Sequence, residues 1–212
     1  MFRVIAVFFL LMGLAPFAGA ADKQAVDLPQ RLAEVQSDQQ KQATAIRLGQ
    51  KVAAVCANCH GEGGISSKVD VPNLAGQNTS YLLDQLRLFA SGQRKFEFME
   101  GMIKAMNADE KVGVVLFYAS QTVPARPVSD ARLAQRGREI FGGNCFRCHG
   151  NDAHGNAQFA RLAGQQQEYL RKTLKHYRDK DASRPNPLMR ANAQMLSDDD
   201  INALAVYLNS MP

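Results

Sequence analysis

The sequence has no tryptophan, and only four cysteines and four histidines among 212 residues. It also lacks any stretch where apolar and polar residues alternate as along a half-buried strand, so a sheet-based architecture is excluded and the fold class expected is all-α. Beyond Val4 to Leu14 there is no long apolar run, and that run is short for a membrane span of roughly 20 residues. Cysteine usage is the most restrictive scarcity. All four thiols fall inside two pentapeptides, Cys56-Ala57-Asn58-Cys59-His60 and Cys145-Phe146-Arg147-Cys148-His149, so no disulfide framework can be built. A zinc site would need further ligands, and the remaining histidines, His154 and His176, are not spaced to supply them. A redox CxxC of the thioredoxin kind would need strand–helix alternation around it.

What the two pentapeptides share is the CxxCH pattern of covalent haem attachment. Two intervening residues make one helical turn, so both sulfurs reach one edge of a porphyrin while the histidine emerges beneath it as an iron ligand. Cys56 and Cys59, then Cys145 and Cys148, are therefore expected to bind two haem c groups, with His60 and His149 on the irons.

The N-terminus reads as an export signal: Arg3, the apolar run, and Ala18-Gly19-Ala20 as a cleavage site, which places the mature protein in the periplasm after cleavage following Ala20. An uncleaved anchor is the alternative, so membrane association through it or through a partner stays open. The formal charge of +5 does not point to nucleic acid. Removing Arg3 and adding about four ionised propionates leaves a nearly neutral holoprotein. Residues 131–212 do hold 12 Lys/Arg against 8 Asp/Glu, enough to steer docking.

The body of the chain is an internal repeat. Cys56 and Cys145 are 89 residues apart; Leu74-Ala75-Gly76-Gln77 and Leu162-Ala163-Gly164-Gln165 are 88 apart, as are Tyr81 and Tyr169. Between the copies, the two prolines of 121–130 favour an extended linker. The expected organisation is a signal at 1–20, a polar extension at 21–44 with a loose helix after Pro29, one domain at 45–122, a linker at 123–130 and a second domain at 131–212. Each domain is expected to run helix, CxxCH, glycine-rich loop, helix, long loop, closing helix. Asn107 with Glu110, and Ser197 with Asp200, cap the closing helices.

Each iron needs a sixth ligand or an open position. Met99 and Met189 occupy matching places in the long loops, 90 residues apart, and a thioether there would close the iron and raise its potential. Met102 is the main rival to Met99; Met106 and Met195 read as packing residues. His154, soon after the second haem motif, and His176, on a basic helix face, read as surface histidines.

With the two CxxCH motifs, the repeated Leu-Ala-Gly-Gln with its following tyrosine, the loop methionines and the closing Leu196-Ser197-Asp198-Asp199-Asp200-Ile201 with Tyr207, the chain from about Ala45 to Pro212 resembles the cytochrome c4 family of di-haem class I cytochromes c. The resemblance implies two tandem cytochrome c domains related by a pseudo-twofold axis, both haems His/Met-ligated, carrying single electrons in a respiratory chain between a donor and a terminal oxidase or similar acceptor. It implies no substrate turnover. A di-haem subunit of a dehydrogenase, tethered by the extension, and a di-haem peroxidase are the alternatives. The family proline whose carbonyl takes the proximal histidine's ring N–H is present as Pro72 but replaced by Ala160, and Lys111 and Phe117 stand where Ile201 and Tyr207 do in the second copy.

Overall fold

Helices supply all the regular structure in the computed structural model, which describes residues 26–212, and no strand occurs among the described residues. The signal segment and its cleavage site lie outside them. In chain order the helices are α1 (Leu28–Gln36), α2 (Gln39–His60), α3 (Thr79–Ala90), α4 (Glu97–Ala105), α5 (Ala108–Ala119), α6 (Ala131–Ile140), α7 (Phe146–His149), α8 (Gln167–Arg178), α9 (Pro187–Ala193) and α10 (Asp198–Ser210). None is long and apolar enough to cross a membrane.

The first half is built on α2 crossing α5, the second on α6 crossing α10. At each crossing a glycine removes the side chain that would hold the helices apart: a Cβ on Gly49 would overlap the Gly113 carbonyl, and one on Gly137 the Ala203 carbonyl. Gly113 and Ala203 are 90 residues apart, like the two caps, so the closing helices match in register and Lys111 does correspond to Ile201. Both caps are complete capping boxes, Asn107 with Glu110 and Ser197 with Asp200. Apolar side chains from α2, α3 and α5, among them Ala53, Leu82, Leu83, Val112 and Val115, fill the first core. Phe141, Leu170, Leu204, Ala205 and Leu208 fill the second.

Two features differ from the sequence reading. The segment before Thr44 is well-formed helix: Asp27 caps α1, Pro29 sits in its first turn, and Leu32 and Val35 are buried in the first core. Asp38 then caps α2, which runs unbroken across positions 44 and 45 to His60. In the second half the helix entering the haem motif does not stay regular. Gly137 to Cys145 is one residue longer than Gly49 to Cys56, and a π-helical turn at Phe141–Cys145 absorbs the extra residue. Gly142 and Gly143 in that turn face open space. Residues 121–130, with their two prolines, carry no helix or strand.

Gly49→Ala and Gly137→Ala are each expected to lower unfolding free energy by at least about 1–3 kcal/mol, because backbone rather than a flexible side chain must move; chemical denaturation of the holoprotein measures it. Ser197→Ala should cost about 1 kcal/mol. The Ser197 hydroxyl and then Arg136 hold the Asp200 carboxyl down at about 2 from 3.8. A carboxyl depressed by folding stabilises above its unfolded value, so this contribution is full above about pH 4 and lost as pH falls towards about 2. Denaturation midpoints of wild type and Asp200→Asn should therefore converge at low pH.

Candidate haem sites and the surface between them

Each CxxCH occupies the last turn of a helix that stops at a glycine with φ 78°, Gly61 after α2 and Gly150 after α7. The histidines are buried and similarly held. His60 Nδ1 lies 2.9 Å from the Pro72 carbonyl oxygen, and His149 Nδ1 lies 2.9 Å from the Ala160 carbonyl oxygen. A carbonyl only accepts, so each Nδ1 carries the proton and each Nε2 keeps its lone pair. Burial holds both imidazoles below their usual pKa, hence neutral at pH 7. All four cysteines are free and half-buried, and burial raises the Cys56 and Cys145 thiols. Two thiols and one neutral imidazole nitrogen per helix end fit an attached iron porphyrin. They do not fit a bare metal ion, and no cluster of three or more His, Cys, Asp or Glu that could hold one occurs among the described residues. Substituting Ala160 for proline leaves the hydrogen-bond distance unchanged, because any backbone carbonyl serves.

Met99 and Met189 both sit on helix rather than loop, each the third residue of its helix, α4 and α9. Asn186 accepts from the Met189 backbone N–H and Glu100 accepts from Phe96 N–H, so the first turn is pinned in both. Phe98 and Leu188, the preceding residues, are 61% and 62% exposed. Met99 and Met102 are both half-buried. Met106 and Leu196 pack on the two cores, and Met195 is 84% exposed. His154 Nε2 meets the Pro212 carbonyl oxygen at 2.9 Å, and His176 Nδ1 meets Ser183 Oγ at 3.3 Å.

Sequence reasoning missed a matched pair of arginines. Arg94 and Arg184 are 90 residues apart, the methionines' own offset, which was the available signal. Arg94 lies over Phe89, and Arg184 against Tyr169 and Tyr177. Both guanidiniums reach one phenol: Arg184 Nη2 donates to Tyr169 Oη at 3.0 Å and Arg94 Nη2 at 3.3 Å. Neither has a carboxylate partner among the described residues, although Arg184 is buried. Burial alone would raise the Tyr169 phenol; Arg184 and Arg94 outweigh it and pull it below its usual value. Burial raises the neighbouring Tyr81. Arg94 also donates to Gln85 Oε1 at 2.7 Å and Arg184 to Thr173 Oγ1 at 3.3 Å. Two cations, one buried and one half-buried, with only neutral side-chain acceptors suit an anionic ligand group.

The repeated glutamines meet across the surface between the halves. Asn73 N–H donates to Gln165 Oε1 at 2.7 Å while Gln165 Nε2 donates to the Asn73 carbonyl at 3.0 Å. In the mirror position, Arg161 N–H donates to Gln77 Oε1 at 2.7 Å and Gln77 Nε2 to the Arg161 carbonyl at 2.9 Å. Around these, Asn78 Nδ2 donates to the His154 and Phe159 carbonyls, and Gln166 Nε2 to the Ser66 carbonyl. Val123 of the linker lies against both Gly76 and Gly164.

Comparison with known proteins gives a consistent picture. The cytochrome c family matches residues 134–212. Cytochrome c4 of Azotobacter vinelandii is 31% identical over 184 residues, which cover 77% of this chain and 87% of the relative. A thiosulfate dehydrogenase electron acceptor from Thiomonas intermedia (strain K12) is 34% identical over 173 residues, covering 76% and 80%. The crystal structure of reduced recombinant cytochrome c4 from Pseudomonas stutzeri superposes with a TM-score of 0.74 at 31% identity, over 79% of this chain and 98% of that one.

Pro72→Ala should leave the visible spectrum unchanged, since the carbonyl at position 72 survives. It should lower holoprotein stability by about 0.4–1 kcal/mol through the unfolded chain, read from denaturant midpoints.

Proposed function

The chain belongs to the cytochrome c4 family, and from that premise we propose how this di-haem electron carrier holds and closes its two irons. As in the family, two haem c groups are bound covalently and single electrons pass through redox protein partners. The finer assignment is our reading: Cys56 and Cys59 attach the first haem and Cys145 and Cys148 the second, with His60 and His149 as proximal ligands. Met99 and Met189 close the opposite faces. The observation that carries it is the pair of identical histidine geometries, each with Nδ1 committed to a carbonyl and Nε2 left as a lone pair.

The bound haem supplies a one-electron couple, Fe(III)/Fe(II). The protein's part is to fix each imidazole's tautomer and orientation, to keep water from its buried ring, and to hold a thioether-bearing helix turn in place. Arg94 and Arg184 would meet haem propionates, which would supply the negative charge that their shared phenol partner Tyr169 does not. Both domains act as carriers with no substrate turnover, in the periplasm of a respiratory chain, once the segment through Ala20 is removed. The donor proposed is a dehydrogenase, the class named for the Thiomonas relative. Permanent tethering through the extension is not favoured, because α1 is folded onto its own half by Leu32, Val35 and an Arg31–Asp109 ion pair at 2.9 Å. On these boundaries the first domain would begin at α1 rather than at 45.

Met189→Leu should leave one low-spin and one high-spin iron in the oxidised protein, with loss of half the thioether charge-transfer band. The second haem's potential should fall by a sizeable part of the roughly 0.8 V that axial ligands span. Met99→Leu should do the same to the first haem and Met102→Leu should not. Unchanged low-spin spectra in both Met99→Leu and Met189→Leu would overturn the ligand set.

A further inference from the structure

The clasp formed by Gln77 and Gln165 lands on particular peptide groups. The peptide that joins Pro72 to Asn73 offers its carbonyl to His60 Nδ1–H and its N–H to Gln165 Oε1. The peptide that joins Ala160 to Arg161 offers its carbonyl to His149 Nδ1–H and its N–H to Gln77 Oε1. Within one planar amide the two ends are coupled by resonance, so an acceptor on the N–H makes the carbonyl oxygen more negative. Hydrogen bonds chained in this way strengthen one another by about 10–30% each. Each proximal histidine is thus one peptide away from a glutamine of the opposite half.

The amide orientations are fixed from several sides. Each Oε1 also accepts the backbone N–H of the following residue, Gln166 in one case and Asn78 in the other, while each Nε2 donates to the same residue whose N–H it faces. Gln77 and Gln165 are 7% and 6% exposed, so water does not compete for these bonds.

We propose that Gln77 and Gln165 are positioning residues that tune the haems crosswise: Gln165 sets the basicity of His60 and hence the first haem's potential, and Gln77 that of His149 and the second haem's. This rests on His60 and His149 being the proximal ligands. A more basic imidazole stabilises Fe(III), so each glutamine lowers the potential of the haem in the other half. The effect is larger for Gln165, because Asn73 is buried and Arg161 only half-buried.

The test is a redox titration of the holoprotein with the haem methyl resonances of the two haems followed separately by NMR, together with the His Nδ1–H resonance of the reduced form. In Gln165→Met the first haem's potential should rise and the His60 Nδ1–H should exchange faster with solvent, while the second haem stays put. Gln77→Met should give the mirror result, smaller, and keeps the test alive if Gln165→Met does not fold. In Gln165→Glu, a carboxylate on the same N–H should lower the first haem's potential more than the second's. Lower stability with both potentials unmoved, or a shift confined to the haem of the mutated half, would overturn the crosswise tuning and leave the ligand assignment standing. A high-spin iron in the unmutated protein would overturn the methionine ligands of the proposed function and leave the crosswise tuning, which acts through the histidines, to be decided by the potentials.

Discussion

The rest of the structure depends on two helices in each half approaching closely enough for backbone to touch backbone, Gly49 on Gly113 and Gly137 on Ala203. This crossing fixes the direction of the helix that ends in CxxCH, and so decides where two thiols and a histidine emerge. It acts from seven residues before the first cysteine in one half and eight in the other. The second half keeps the crossing and still delivers its motif correctly by winding the extra residue into a π turn. An insertion that would rotate a regular helix by about 100° is thereby confined to a few residues beside Gly142 and Gly143.

From those helix ends the chain folds back so that the loop after each haem motif does two tasks. One face of the loop receives the histidine ring; the other meets the opposite half. Contacts between the halves therefore include buried and half-buried polar ones, built from amide side chains on backbone. Such contacts add modest net stability each but are costly to leave unmade, which favours one relative arrangement of the halves over its neighbours. Arg94, Arg184 and Tyr169 belong to the same surface and place positive charge where both halves meet. The repeat is thus more than duplication: each half completes the other's surroundings.

Much was legible because it is local. The CxxCH pentapeptides, the repeat, both capping boxes and the extended linker follow from residue types a few positions apart, and the structure bears out both caps residue for residue. Other features were less so. Met99 and Met189 looked like loop residues because α4 and α9 are short, with glycine, proline or asparagine close by, and such helices depend on tertiary contacts. The helix expected after Pro29 read as loose because the segment is polar and glutamine-rich; Leu32 and Val35 entering the first core, with Leu28 packed beside them, make α1 a firm part of it. Arg94 and Arg184 were hidden among 25 Lys and Arg residues, and only their shared offset marked them.

By itself the sequence determined the chemistry and its multiplicity: four thiols and two histidines in two identical spacings, a helical pattern, and a duplicated frame. Covalent haem attachment needs residues on one helical turn, and a turn is a local object. Tertiary structure alone decided what surrounds each histidine. The acceptor for its ring proton lies 12 residues away in the first half and 11 in the second. The glutamine amide behind that acceptor lies 92 residues from Asn73 in one case and 84 from Arg161 in the other, in the opposite half. No local pattern encodes that distance; only two folded halves brought face to face can close it.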